Sequence, residues 1–164
     1  MTIAACCAPG PEKGWIDLQT LLAEGFTCFT GYNYHGYPMK GDQMIQSFTT
    51  MIEGHEDIWN RFAAKGIAPY IPVVTTGWDR RPWQDASKPV PEAYYPDRTP
   101  VMVEDFVRRA VNWLDANPKQ TPAERIVLLY AWNENAEGGY LTPTKSTGEA
   151  YLKAVQRGLQ ATEK

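Results

Sequence analysis

Stretches with a helical spacing of hydrophobic residues alternate with short apolar stretches along this 164-residue chain. Apolar residues recurring every three or four positions predict helices, and short runs rich in aromatic and β-branched residues predict strands. The predicted helices are Trp15–Glu24, Asp42–Lys65, a segment between Thr99 and Asn117, and Ser146 to about Gln160. The predicted strands are Phe26–Tyr34, Ile67–Thr75 and Ile126–Trp132.

Local signals mark where several of these elements begin and end. Gly66 follows the second helix as a C-terminal stop, and Thr99 before Pro100 is typical of a helix start. Thr121 and Glu124 have capping-box spacing and predict one short helical turn, and Ser146 with Glu149 predicts the start of the last helix. Because Ile126–Trp132 (IVLLYAW) is continuously apolar, it predicts a strand buried on both faces.

The order helix, strand, helix, strand, helix, strand, helix predicts an α/β fold with a parallel sheet and about three βα units. Residues 1–164 show no internal linker and are expected to form a single domain. A complete (β/α)8 barrel typically needs about 250 residues and rarely fewer than about 200. The prediction is therefore either a small open sheet or a partial TIM-barrel-like structure.

Composition narrows the class of protein. With 43% hydrophobic and 21% charged residues, the chain has the balance of a folded globular protein. Its net charge of -3 argues against a nucleic-acid partner, and no apolar run is long enough to span a membrane. The start, Met1–Gly10, lacks the features of a signal peptide, so a cytoplasmic location is expected if the chain is complete.

Polar and aromatic residues follow all three predicted strands, where parallel α/β proteins place their reactive groups. Aromatic residues, at 12% of the chain, also suit a ligand-binding surface. Two acidic residues after the third strand are candidate catalytic groups, and eight further residues are candidate substrate-binding groups. The catalytic candidates are Glu134 and Glu137, and the substrate-binding candidates are Tyr34, His35, Trp78, Asp79, Arg81, Trp132, Asn133 and Tyr140.

Glu134 and Glu137 are spaced to lie about 5–6 Å apart if they share a helical turn. Two carboxyl groups at that separation tend to have pKa values that move apart, which lets one act as an acid and the other as a base. Retaining glycoside hydrolysis uses such a pair, and tryptophan faces suit sugar rings. The alternative is that both glutamates are solvated loop residues.

Other candidates also have simpler interpretations. Asp79 could be the ion-pair partner of an arginine, and Trp78 could plug the core. His35 and His55 do not have the spacing of a metal site, and His55, inside a helix, is expected at the surface. There is no glycine-rich phosphate loop and no nucleophile elbow, so no metal and no cofactor is expected.

Two motifs and the end of the chain resemble the glycoside hydrolase family 99-like proteins, which include the endo-α-mannosidases and the WbsX-like proteins of bacterial polysaccharide clusters. Pro72–Asp79 (PVVTTGWD) is similar to their P-x-x-x-x-G-W-D segment, and Ala131–Gly138 (AWNENAEG) is similar to WNEWxEG. Tyr140–Pro143 and Gly148–Leu152 resemble the end of the same proteins. Asn135 departs from the family's usual Trp.

The resemblance implies that the chain is the C-terminal part of a (β/α)8 barrel. It implies that Glu134 deprotonates the 2-hydroxyl of an α-linked, mannose-type glycan, and that Glu137 protonates the leaving group and then activates water. The expected partner is an oligosaccharide or polysaccharide, with a homo-oligomer or a missing N-terminal half completing the barrel. The alternative function is a non-catalytic glycan-binding or glycosyltransferase-like module.

Overall fold

The computed structural model describes residues 1–11, 17–37, 43–83, 87 and 93–160. Strands and helices alternate through these residues, and a small hairpin follows the fourth strand. The elements are β1 (Ala4–Cys6), α1 (Leu18–Ala23), β2 (Cys28–Thr30), α2 (Phe48–Lys65), β3 (Val73–Thr75), α3 (Pro100–Ala116), β4 (Leu128–Tyr130), β5 (Asn133–Glu134), β6 (Gly139–Tyr140) and α4 (Ala150–Gln160).

The strands β1 to β4 form two parallel pairs, and a single parallel bridge links one pair to the other. β1 pairs with β2, and β3 pairs with β4, both in parallel. A parallel bridge between Phe29 and Tyr70 connects β2 to the segment before β3. The α/β class with parallel strands is therefore confirmed. The predicted three βα units become four, because β1 consists of small residues, Ala4, Ala5 and Cys6, with little strand signal of their own.

Helix ends follow local capping chemistry. The Thr99 hydroxyl accepts a hydrogen bond from the Met102 N–H, and Gly66 ends α2 in the left-handed conformation, as the sequence predicts. However, α2 begins at Phe48 rather than at position 42. Ser47 caps it, and the Asp97 carboxylate accepts hydrogen bonds from both the Phe48 N–H and the Ser47 hydroxyl. A residue 50 positions away thus fixes the start of this helix.

The three strands that the sequence predicts are all shorter in the structure, as β2, β3 and β4. Pro69 and Pro72 cannot donate to a ladder, so β3 begins only at Val73. The expectation that Ile126–Trp132 is buried on both faces is wrong. Leu128 and Leu129 are half-buried, and Trp132 is 57% exposed.

The position of β4 explains this exposure. Among the described residues, β4 pairs only with β3. The Leu128 N–H and the Tyr130 carbonyl bond toward β3, so the peptide groups of Leu129 point toward the opposite, open edge. An apolar strand at an edge has one side without a packed neighbour.

Three other local predictions need correction. The segment Thr121–Glu124 forms a turn without helix, and the Glu124 carboxylate accepts from the Thr2 hydroxyl. The last helix begins at Ala150, preceded by a turn in which the Thr144 hydroxyl accepts from the Thr147 N–H. The predicted loop after β4 contains the antiparallel pair β5–β6 around a 3₁₀ turn. The start of the first predicted helix, at Trp15, lies outside the described residues.

The core lies where α2 and α3 cover the strands. Phe106 on α3 is fully buried and its ring lies 5.3–6.3 Å from the rings of Phe48, His55 and Trp59 on α2. These rings place α2 and α3 against β3, and the Trp59 Nε1–H donates to the Val73 carbonyl. The helices thereby fix where β3 ends and where its following loop begins.

We predict that Phe106→Ala lowers the free energy of unfolding by about 3–5 kcal/mol, because it leaves a cavity among three aromatic rings. Val101→Ala on the same helix should change it by less than about 0.5 kcal/mol, since Val101 is 70% exposed. Urea denaturation of both variants measures the difference. Similar losses in the two variants would contradict this description of the core.

Candidate functional site

Residues after β2, β3 and β4 meet at the carboxyl ends of the strands. The Tyr130 hydroxyl, at the end of β4, donates a hydrogen bond to Oε2 of Glu137. The Asp79 N–H, after β3, donates to the Glu137 carbonyl oxygen at 2.6 Å. Glu137 is therefore held through both its side chain and its backbone.

An aromatic pair lies beside this glutamate. The rings of His35 and Trp78 stack with centroids 3.5 Å apart and planes 12° apart. His35 Nδ1 lies 3.0 Å from Asn33 Oδ1, and the Tyr95 hydroxyl donates to the His35 carbonyl at 2.7 Å. Burial lowers the pKa of His35 to about 4, although the negative charge of Glu137 acts in the opposite direction. His35 is therefore neutral at pH 7.

Trp78 and Asp79 match the simpler interpretation of the sequence. Trp78 is only 4% exposed, with one ring face against His35. The Asp79 carboxylate accepts two side-chain hydrogen bonds from Arg81, at 2.9 and 2.7 Å. These bonds lower the pKa of Asp79, whereas burial acts to raise it. Arg81 also lies over the Tyr94 ring.

Two glycines let the loop after β3 and the hairpin after β4 come into backbone contact. A Cβ at Gly77 would overlap the Gly138 carbonyl oxygen and lie 2.6 Å from Arg98 Nη1. Gly138 has a φ of 71°, and a Cβ there would lie 2.9 Å from the Asp79 nitrogen. Only glycine fits these approaches without displacing backbone atoms. The sequence interpretation of Gly138 as a simple turn residue misses this contact.

The remaining candidates differ in how far they are accessible. Glu134 is half-buried at the end of β5, and Asn133 beside it is exposed. Trp132 is exposed, and Tyr140 is half-buried beneath the Arg98 guanidinium. Tyr34 is only 7% exposed and its hydroxyl accepts from that of Tyr70, so it belongs mainly to the core.

His55 is buried beneath the site, contrary to the expectation that it lies at the surface. Its Nε2 lies 2.8 Å from Thr75 Oγ1 and 3.1 Å from the Asn33 carbonyl oxygen, and its Nδ1 lies 2.8 Å from the Met51 carbonyl oxygen. Burial lowers its pKa to about 4. The missed signal is the helical spacing, because position 55 continues the apolar stripe of α2 through Met51, Ile52 and Trp59.

Two cavities lined by described residues open at this end of the strands. One has a volume of about 500 Å³ and lies between the end of β1 and the residues after β2, with Cys6, Cys7, Tyr34, His35 and Tyr37 in its wall. The other has a volume of about 280 Å³ and lies between Trp78, Arg98 and Tyr140. His35 and Trp78, stacked on each other, belong to the walls of different cavities.

Tyr130 and Arg98 are site residues that the sequence interpretation missed. Tyr130 belongs to a continuous apolar run, so the sequence predicts a buried strand residue and does not indicate that its hydroxyl takes part in a site. Arg98 Nη1 donates to the Thr76 carbonyl at 2.7 Å, but it follows a long loop without recognisable spacing. In the described part of the chain, no cluster of three or more His, Cys, Asp or Glu side chains could hold a metal ion. None of the helices described is long and apolar enough to cross a membrane.

We predict that Gly77→Ala lowers the free energy of unfolding by about 1–3 kcal/mol, because the new Cβ overlaps backbone of the neighbouring hairpin. Gly36→Ala is the matched control, since nothing lies within 4 Å of a Cβ at that position and its φ is not positive. Thermal denaturation of the two variants measures the effect. A fully stable Gly77→Ala variant would contradict the close approach.

We predict that the free energy of unfolding falls as the pH is lowered from 6.5 to 5. The unfolded chain protonates its histidines near pH 6.5, whereas His35 and His55 in the folded state remain neutral down to about pH 4. The unfolded state therefore binds more protons in this range. His35→Phe keeps a ring against Trp78 but removes one of the two histidines. It should therefore reduce the change in the free energy of unfolding between pH 6.5 and 5, measured by urea denaturation at each pH. A stability that does not change between pH 6.5 and 5 would contradict the burial of both histidines.

Comparison with known proteins identifies the family to which the chain belongs. Residues 22–155 match the sequence profile of the family described as Glycosyltransferase WbsX. The chain therefore belongs to the WbsX family, which is carbohydrate-related. No solved structure matches the chain.

Individual relatives cover a smaller part of the chain. An 88-residue stretch is 34% identical to a protein named "Uncharacterized protein WxcX" from Xanthomonas campestris pv. campestris strain B100. A second strain of the same organism has a WxcX protein with the same identity. The matched stretch is 54% of this chain and 12% of the length of the Xanthomonas protein.

Proposed function

We propose that this WbsX-family protein binds an oligosaccharide or polysaccharide at the carboxyl ends of its strands and cleaves an α-linked, mannose-type glycan with retention of configuration. In this mechanism Glu137 protonates the leaving group and then activates water, and Glu134 deprotonates the 2-hydroxyl of the sugar. The observation that carries the proposal is the Glu137 carboxylate, which the Tyr130 hydroxyl orients beside neutral His35 and Trp78.

The surroundings of Glu137 support an acid/base role. Burial and the hydrogen bond to Glu137 both raise the pKa of Tyr130, so Tyr130 remains a donor throughout the physiological pH range. A fixed donor restricts the carboxylate to one orientation, which general acid/base catalysis requires. Glu134 lies three residues earlier, just before the 3₁₀ turn Asn135–Glu137, on the same hairpin.

Exposed aromatic rings near the strand ends support a sugar ligand. Tyr32 is 62% exposed and packs edge-on against Tyr130, and Trp132 is 57% exposed. Tyr and Trp are enriched at binding surfaces, and the faces of their rings suit the apolar faces of sugar rings. The cavity of about 500 Å³ beside Tyr34 and His35 has room for a sugar residue.

We further propose that residues 1–164 form one domain that corresponds to the C-terminal part of a (β/α)8 barrel. The support is the succession of four βα units, whose strands form two parallel pairs linked by one parallel bridge. The open edge of β4 at Leu129 would accept a further parallel strand. That strand would come from the N-terminal half of a longer chain or from a second copy.

The family description favours one alternative, a glycosyltransferase-like or non-catalytic glycan-binding module. In that case the same aromatic rings hold a sugar, but the protein does not hydrolyse it and the two glutamates are not an acid/base pair for hydrolysis. The two functions differ in what happens when the glutamates lose their charge. Binding that persists without any turnover favours the alternative.

We predict that Glu137→Gln lowers the hydrolysis of α-linked manno-oligosaccharides by about 10²–10⁴-fold, because glutamine accepts from Tyr130 but cannot exchange a proton. Glu134→Gln should have a loss of similar size. Glu149→Gln is the control, since its side chain is 61% exposed and pairs only with Lys153 among the described residues. Product release from a panel of α-manno-oligosaccharides measures the effect.

Full activity in Glu137→Gln would contradict the assignment of the acid/base. If the unmodified protein binds these glycans and hydrolyses none of them, the binding-module alternative replaces the hydrolase. Isothermal titration with the same oligosaccharides distinguishes these outcomes, because it detects binding without turnover.

A further inference from the structure

The smaller cavity contains a positive charge that no carboxylate of the described residues balances. Asp79 and Arg98 are the charged side chains in its wall. The Asp79 carboxylate is already neutralised by the two-point contact with Arg81, and it also accepts from the Arg81 N–H. Arg98 has no carboxylate within ion-pair distance among the described residues. The cavity therefore keeps the charge of Arg98.

Arg98 is fixed in place yet retains unused donors. Its Nη1 donates to the Thr76 carbonyl at 2.7 Å and approaches the Tyr140 carbonyl at 3.5 Å. Its guanidinium lies against the Tyr140 and Tyr151 rings, at 4.1 and 4.4 Å from their centroids. A guanidinium has five N–H donors, and the backbone contacts of Nη1 together with a contact to the Tyr151 hydroxyl leave some of them unused. A rigid arginine with donors remaining is suited to carboxylate and phosphate groups.

A second residue of the same wall has a donor without an acceptor. Among the described residues, the buried Nε1–H of Trp78 has no hydrogen-bond partner, and the residue as a whole is 96% buried. By contrast, the Tyr95 hydroxyl and the Asn135 side chain have protein partners. The indole Nε1 and the guanidinium can only donate. The unmet requirement in this cavity is therefore for acceptor oxygens with negative charge.

We propose that the cavity between Trp78, Arg98 and Tyr140 is a subsite for an anionic substituent of the glycan, either a uronate carboxylate or a phosphate ester. The inference rests on the proposed glycan site, because Trp78 in the wall of this cavity stacks on His35 in the wall of the larger one. It adds that the substrate is an acidic glycan, with its charged group in the cavity that Trp78 lines and His35 does not. Arg98 and the Trp78 Nε1–H donate to the oxygens of that group.

Three matched sugars test this subsite. Methyl α-mannoside, the corresponding uronic acid and the corresponding 6-phosphate differ only in the substituent at C6. Each is titrated into the ¹⁵N-labelled protein, and binding is followed at the indole N–H resonance of Trp78, which Trp78→Phe identifies. At least one anionic sugar is expected to bind about tenfold or more tightly than the neutral one, and salt should narrow the difference.

Variants assign the effect to Arg98. Arg98→Gln should reduce the preference for the anionic sugar to less than about threefold, and Arg98→Lys should keep part of it. Arg108→Gln is the control, since Arg108 pairs with Asp105 on α3 away from the cavity. If Arg98→Gln does not fold, Trp78→Phe should weaken the anionic sugar several-fold, with binding followed at the Gly77 amide.

The outcomes separate the two acidic groups and the two proposals. Tighter binding of the uronic acid alone assigns a carboxylate, and tighter binding of the phosphate alone assigns a phosphate ester. Equal affinity for all three sugars, or a preference that survives in Arg98→Gln, overturns the anionic subsite and leaves the proposed glycan site standing. No binding of any of the three overturns both.

Discussion

The site depends on the close approach of two backbone segments, the loop after β3 and the hairpin after β4. Gly77 and Gly138 allow this approach, since a Cβ on either would meet backbone atoms of the other segment. The Asp79 N–H then reaches the Glu137 carbonyl, which brings the Glu137 side chain to the Tyr130 hydroxyl. Without this contact, the loop that carries Trp78 and the hairpin that carries Glu137 would not be held together.

The features predicted from sequence are those decided by neighbours in the chain. Thr99 and Gly66 mark helix ends through their own hydrogen bonds and backbone conformation, and both predictions hold. The parallel strand order follows from the alternation of elements. The start of α2 could not be predicted, because Asp97, distant in sequence, supplies its cap. The exposure of β4 depends on which strand lies next to it, and the apolar run contains no information about that.

The candidate site shows the same division. Residues that follow strands could be predicted as candidates, because parallel α/β proteins place reactive groups at strand ends, and the fold does bring Trp78, Asp79 and Glu137 together. Tyr130 was missed because it belongs to an apolar run, which predicts only a buried strand. His55 was missed because it was interpreted as a surface residue of a helix, although its position continues the apolar stripe of α2. Their roles arise from contacts with Glu137 and with Thr75, which only the folded chain brings within hydrogen-bond distance. The glutamates' part in hydrolysis remains a proposal.

Thermal unfolding with and without α-linked manno-oligosaccharides is the most direct test of the claim that the strand ends bind a glycan. A ligand that binds only the folded state raises the melting temperature, and at a hundred times its dissociation constant it adds about 2.7 kcal/mol to the stability. We expect a cooperative transition whose Tm rises with the concentration of at least one oligosaccharide. A cooperative transition whose Tm stays the same across the whole panel would contradict it.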